Sequence, residues 1–190
     1  MNLQDYLIEV KIGQNPEIEK LFNAGLEQVF NSSYVNKINN IMKKRINIKE
    51  KVFNEKDVVA FVQGNSIYIN KPQFYAKSKK EQIKYLLHEF LHLLNNSKKF
   101  IFFNKFKELK QVSKELWKIV KEYTDDPGMF LTGRKVRASY LNNQEAMSYL
   151  MNDKIQWKYI SAEGRKKFIN ILQSANIFNL EHPFWKKRLT

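Results

Sequence analysis

Residues 85–96 read YLLHEFLHLLNN, and how this stretch folds decides what the rest of the chain must be built around. Tyr85, Leu86, Leu87, Phe90, Leu91, Leu93 and Leu94 leave almost no polar face on a helix, and such a helix belongs in the middle of a protein. His88, Glu89 and His92 nevertheless sit inside it. Two imidazoles and a carboxylate withdrawn from water are costly unless partnered, and a divalent cation is the partner that satisfies them together. The plainer alternative is a pair of core histidines bonded to neighbouring helices, with Glu89 paired to a lysine, because this four-residue spacing also arises by chance.

The spacing itself carries chemistry. Histidines four apart lie on one helix face about one turn from each other, within reach of a single ion. Glu89 is rotated by about 100° from His88, where it can act on a metal-bound water without ligating the metal. The pattern is H-E-x-x-H: the ion lowers the pKa of the water toward about 7, and Glu89 takes the proton as general base.

Working outward, Ser78 with Glu81 three residues later is a capping box, which predicts a helix from about Lys79 to Asn95. Before it, DVVAFVQGNSIYIN carries two runs rich in β-branched and aromatic residues around Gln63-Gly64-Asn65-Ser66, predicting a hairpin with strands near 57–62 and 66–70, the second ended by Lys71-Pro72. Asn15-Pro16-Glu17 predicts the start of a helical N-terminal region over 15–45. After the motif, Phe103, Phe106, Leu109, Leu116, Ile119, Val120 and Tyr123 predict an amphipathic helix closed by the turn at Asp125-Asp126-Pro127-Gly128. Shorter helices are expected near 143–152 and 161–175, so the fold class is α+β, mostly helical with a small sheet, in a single domain over 1–190.

Composition narrows the chemistry. The chain has 190 residues, 43% hydrophobic and 14% aromatic, enough to bury a core as one domain. It contains no cysteine, which excludes disulfides and thiolate ligands and leaves a metal to imidazole and carboxylate. No run of about 20 apolar residues and no basic-then-apolar leader is present, so a soluble, cytoplasmic protein without membrane attachment is expected. The formal charge of +14 is mostly lysine. Lysine, asparagine and isoleucine are enriched together, as AT-rich coding gives, so nucleic acid is the weaker expectation for a partner.

His88-Glu89-Phe90-Leu91-His92, after a strand and a capped helix start, resembles the zincin metallopeptidases. The resemblance covers about residues 57–152 as a catalytic core and implies zinc, a protein or peptide substrate, and a strand at the sheet edge that binds the substrate backbone, a place given to NSIYIN at residues 65–70. A catalytic zinc has three protein ligands and one open position. Lys98 excludes a metzincin-type third histidine, leaving Glu145, Asp125, Asp126 and His182 as candidates. Gluzincins take this ligand from a glutamate on a second helix, which implies Glu145 in NNQEAMSYLMND, beside an Ala146 small enough for close helix approach. Glu145-Ala146 and Tyr149-Leu150-Met151 are similar to the corresponding element of ImmA/IrrE-type metallopeptidases, with Met147 where an asparagine is usual, and imply a phage or mobile-element setting. Asp125 and Asp126 also read as turn residues before Pro127. His182, Tyr140 and Tyr149 are candidates to stabilise the transition state. The alternatives are a basic nucleic-acid-associated protein, a DNA-held protease resembling SprT-type enzymes without their cysteine module, and a pseudoenzyme with zinc as a structural staple.

Overall fold

The computed structural model describes residues 8–11, 15–42, 47–53, 58–96, 106–137, 141–152 and 155–189. The chain runs β1 (Ile8–Lys11), α1 (Pro16–Val29), α2 (Ser32–Met42), β2 (Asn47–Lys51), β3 (Ala60–Gln63), β4 (Ser66–Asn70), α3 (Lys71–Tyr75), α4 (Lys79–Asn96), α5 (Lys107–Tyr123), α6 (Pro127–Thr132), α7 (Asn143–Asn152), a 3-10 turn at Trp157–Tyr159, α8 (Ala162–Ser174) and α9 (Pro183–Leu189). The class is therefore α+β, with a small sheet and a helical majority. Phe103, and residues 43–45 of the expected N-terminal helical region, lie outside the described residues.

The sheet order is β1-β2-β4-β3, with β2 and β4 parallel and the two outer pairs antiparallel. The expected hairpin is present, its first strand shifted to residues 60–63 and its turn made at Gly64 with φ of 60°, a backbone glycine adopts without strain. One expectation is corrected here. NSIYIN forms β4 in the interior of the sheet, and the edge beside the motif helix is β3. Asn70 N–H donates to the Val59 carbonyl at 2.9 Å. In an antiparallel ladder the bonded pairs alternate, so Phe61 and Gln63 bond to β4 while the main-chain groups of Ala60 and Val62 turn outward.

Each element that holds the site has a local cause. The Asn15 side chain accepts the Ile18 N–H at 3.2 Å and starts α1, whose Ile18, Phe22, Leu26 and Val29 are buried. Ser78 Oγ donates to the Glu81 carboxylate at 2.7 Å and Ser78 N–H donates to it at 3.0 Å, the two ends of the capping box that starts α4. Leu86, Leu87, Phe90, Leu91 and Leu93 are all buried, with Phe90 edge-on to Phe22 at 5.1 Å between ring centroids. A Cβ added to Gly25 would sit 2.9 Å from Ile83 Cγ2, so that glycine sets how closely α1 lies on α4. On its other sides α4 packs against α7, β3 and β4.

Candidate metal centre

Three side chains meet where α4 and α7 cross. His88 Nε2 and His92 Nε2 are 2.9 Å apart, and His92 Nε2 is 3.4 Å from a Glu145 carboxylate oxygen. One donor atom from each of His88, His92 and Glu145 lies within 4.8 Å of the other two. Among the described residues this is the one group of three or more histidine, aspartate or glutamate side chains so arranged. Two residues placed by the spacing on α4 thus receive a third from α7, and Ala146, only 4% exposed beside Glu145, lets the helices approach.

The donor set fits a cation. Tetrahedral zinc with bonds of about 2.0–2.1 Å holds its ligand atoms roughly 3.3–3.4 Å apart, and the two edges that meet at His92 measure 2.9 and 3.4 Å, while the third lies within 4.8 Å. Burial, and then the neighbouring His92, hold His88 down to a pKa of about 4, which keeps its ring neutral at neutral pH. Glu145 is pushed above the usual carboxylate range by burial, against the pull of His92. Positive charge is what such a cluster lacks.

Glu89 stands apart from these three. Its side chain is 8% exposed and outside the ligand group, and burial followed by the Glu145 charge pushes its carboxyl up to about 8. Its partner is the Val62 N–H, which donates to it from the outward side of β3. No side-chain pattern announces a main-chain donor, and only the register of β3 reveals it. That bond holds the Glu89 carboxyl at the sheet edge and outside the ligand set.

The remaining candidates go elsewhere. Asp126 caps α6, its carboxylate accepting the Met129 N–H at 3.0 Å, and Asp125 is exposed in the same turn, so neither belongs to the ligand group. His182 Nδ1 accepts the Phe184 N–H at 3.1 Å at the start of α9 and is likewise outside it. Tyr149 lies one helical turn beyond Glu145, with its ring 6.2 Å from that of His88 and edge-on. Tyr140 lies outside the described residues. No protein-family model, curated protein or solved structure matches the chain.

Proposed function

We propose that this protein is a zinc-dependent metallopeptidase acting on a protein or peptide, on a zincin-like fold. The observation that carries the reading is the convergence of His88, His92 and Glu145 around one point, with the buried, non-ligating Glu89 beside them. His88, His92 and Glu145 would hold the zinc, which when bound would supply Lewis acidity and make a water more acidic. The charge of a bound cation would lower Glu89 from its raised value, so that it could accept the proton of the attacking water and deliver it to the leaving amine as the C–N bond breaks. The Val62 N–H orients the base, and the outward main-chain groups of Ala60 offer an extended substrate the hydrogen bonds of an added strand. Tyr149, whose ring lies 6.2 Å from that of His88, would be the candidate to steady the charge that develops on the carbonyl oxygen.

The test begins with metal analysis of protein purified without a histidine tag. About one zinc per chain is expected, and it should be absent from His88→Ala and His92→Ala. Glu89→Gln should keep the zinc and the fold while lowering turnover of a casein or peptide-library substrate by roughly 10²–10⁴-fold. Intact protein that takes up no zinc overturns the reading, and a Glu89→Gln variant as active as wild type removes Glu89 from the mechanism.

A further inference from the structure

A cavity of about 450 Å³ opens between α1, α4, α7 and α9. Its floor is apolar, made by Ile83 and Leu87 of α4, Met151 of α7 and Phe184 of α9. Its rim is cationic, with Lys80 and Lys84 on one side and Lys187 and Arg188 on the other. No carboxylate lines it among the described residues. Glu81, close in sequence to this rim, is engaged by Ser78 and also feels the charge of Lys84, and Glu181 pairs with Lys186 at 2.9 Å. His182 also lines the cavity, and since its Nδ1 accepts the Phe184 N–H, its Nε2 carries the proton and is a donor. None of His88, Glu89, His92 and Glu145 lines it, so the cavity is a place distinct from the metal group.

We propose that this cavity binds an organic monoanion with an apolar body, an alkyl or aryl carboxylate. Its size falls within the range of small-molecule sites, about 300–1,000 Å³, and such sites combine apolar lining with a few polar groups that fix orientation. An inorganic anion would leave Ile83, Leu87, Met151 and Phe184 unused. A neutral apolar molecule would bring no charge to meet the rim ammonium groups of Lys80, Lys84 and Lys187 or the His182 N–H, while Arg188 is held by the Phe184 carbonyl and ring. The carboxylate lies at the rim, where the lysine ammonium groups stay partly in water and desolvation is modest, and the chain lies on the floor. Met151 suits ligands of varied shape, being flexible and polarisable.

The experiment is displacement of a fluorescent aryl sulfonate, anilinonaphthalene sulfonate, from the full-length protein by acetate, hexanoate, octanoate, octanol and a short DNA duplex. Octanoate should displace it with one-to-one stoichiometry. Hexanoate should be about 15-fold weaker, because it lacks two methylenes and each buried methylene is worth about 0.8 kcal/mol, roughly 4-fold in affinity. Octanol should be at least about 10-fold weaker, and acetate should not compete. Lys84→Glu/Lys187→Glu should weaken octanoate by at least about 10-fold, and Lys114→Glu/Lys118→Glu on exposed positions of α5 should not. His88→Ala/His92→Ala should bind octanoate like wild type, which keeps this result separate from the zinc test. Octanol competing as well as octanoate, or acetate or DNA doing so, overturns the proposal, as does octanoate binding that ignores the charge reversal at Lys84 and Lys187.

Discussion

Glu145 is the residue on which the ligand set turns. A two-histidine site holds zinc weakly, so Glu145→Ala should reduce zinc retention against a competing chelator by orders of magnitude. Glu145→Asp should fall between the two, because its carboxylate is one methylene shorter and α7 is held against α4 by buried Met147, Leu150 and Met151. Asp125→Ala, Asp126→Ala and His182→Ala should each keep the metal, since their side chains serve a turn, a helix cap and the start of α9. Should Glu145→Ala retain zinc like wild type, the third ligand lies elsewhere and the reading of α7 falls. His88 and His92 were legible because fixed helical geometry turns their spacing directly into a shared face, and Glu89 because the same geometry sets it about 100° to one side. Glu145 was legible only through a family resemblance, since nothing in its own neighbourhood states which helix it will meet.

Elements differed in legibility for the same kind of reason. Helix α4 announced its start by Ser78 and Glu81 and its burial by leucines on nearly every side. Strand β2, NIKEK, gave no such signal, because its inward positions are Ile48 and a glutamate. Glu50 is only 7% exposed and is satisfied by Tyr75 Oη at 2.7 Å and Asn15 Nδ2 at 3.0 Å, partners that only the folded chain brings together. This knot joins the sheet to α1 and α3, and it makes a pH prediction. Burial, and then the Glu50 carboxylate that it donates to, raise Tyr75 to about 12 from an unfolded value of 10. Its contribution is therefore fully present below pH 10 and is lost as pH rises from 10 toward 12. Melting temperature should fall across that window, and Tyr75→Phe should flatten the fall; an unchanged alkaline profile would remove Tyr75 from it. Close packing of α5 and α8 yields another expectation. A Cβ on Gly164 would lie 2.3 Å from Tyr123 Cβ, an atom fixed to the backbone of α5, so Gly164→Ala must part the two helices. It should cost roughly 1–3 kcal/mol in chemical denaturation, whereas an alanine at an open helix position would gain stability.

Across the whole molecule, one hydrophobic cluster runs from Ile18 to Trp185 and ties the C-terminal segment to α1. Trp185 is fully buried and donates its Nε1–H to the Val29 carbonyl at 2.8 Å, while Asn31 N–H donates to Ile177 at 3.0 Å. The sequence left this segment unexplained because it packs on partners more than a hundred residues away. Net charge is the other property that belongs to the whole chain. The +14 excess is spread over many elements, and part of it is locally answered, as in Lys37 with Glu108 at 3.1 Å and Lys167 with Glu163 at 2.8 Å. Specific nucleic-acid recognition needs cations arranged to meet successive phosphates, and each contact made adds about −0.9 to the slope of log affinity against log salt. A dispersed excess instead gives a weak, sequence-indifferent attraction, screened beyond about 8 Å at physiological ionic strength. Binding to labelled duplex and single-stranded DNA, followed from about 20 to 200 mM salt, should therefore be weak at the low end and gone near 150 mM, with no preference among sequences. Tight binding that survives 150 mM and falls with a slope steeper than about −5 would mean an organised phosphate-binding face, and would make nucleic acid the partner around which the proposed peptidase works.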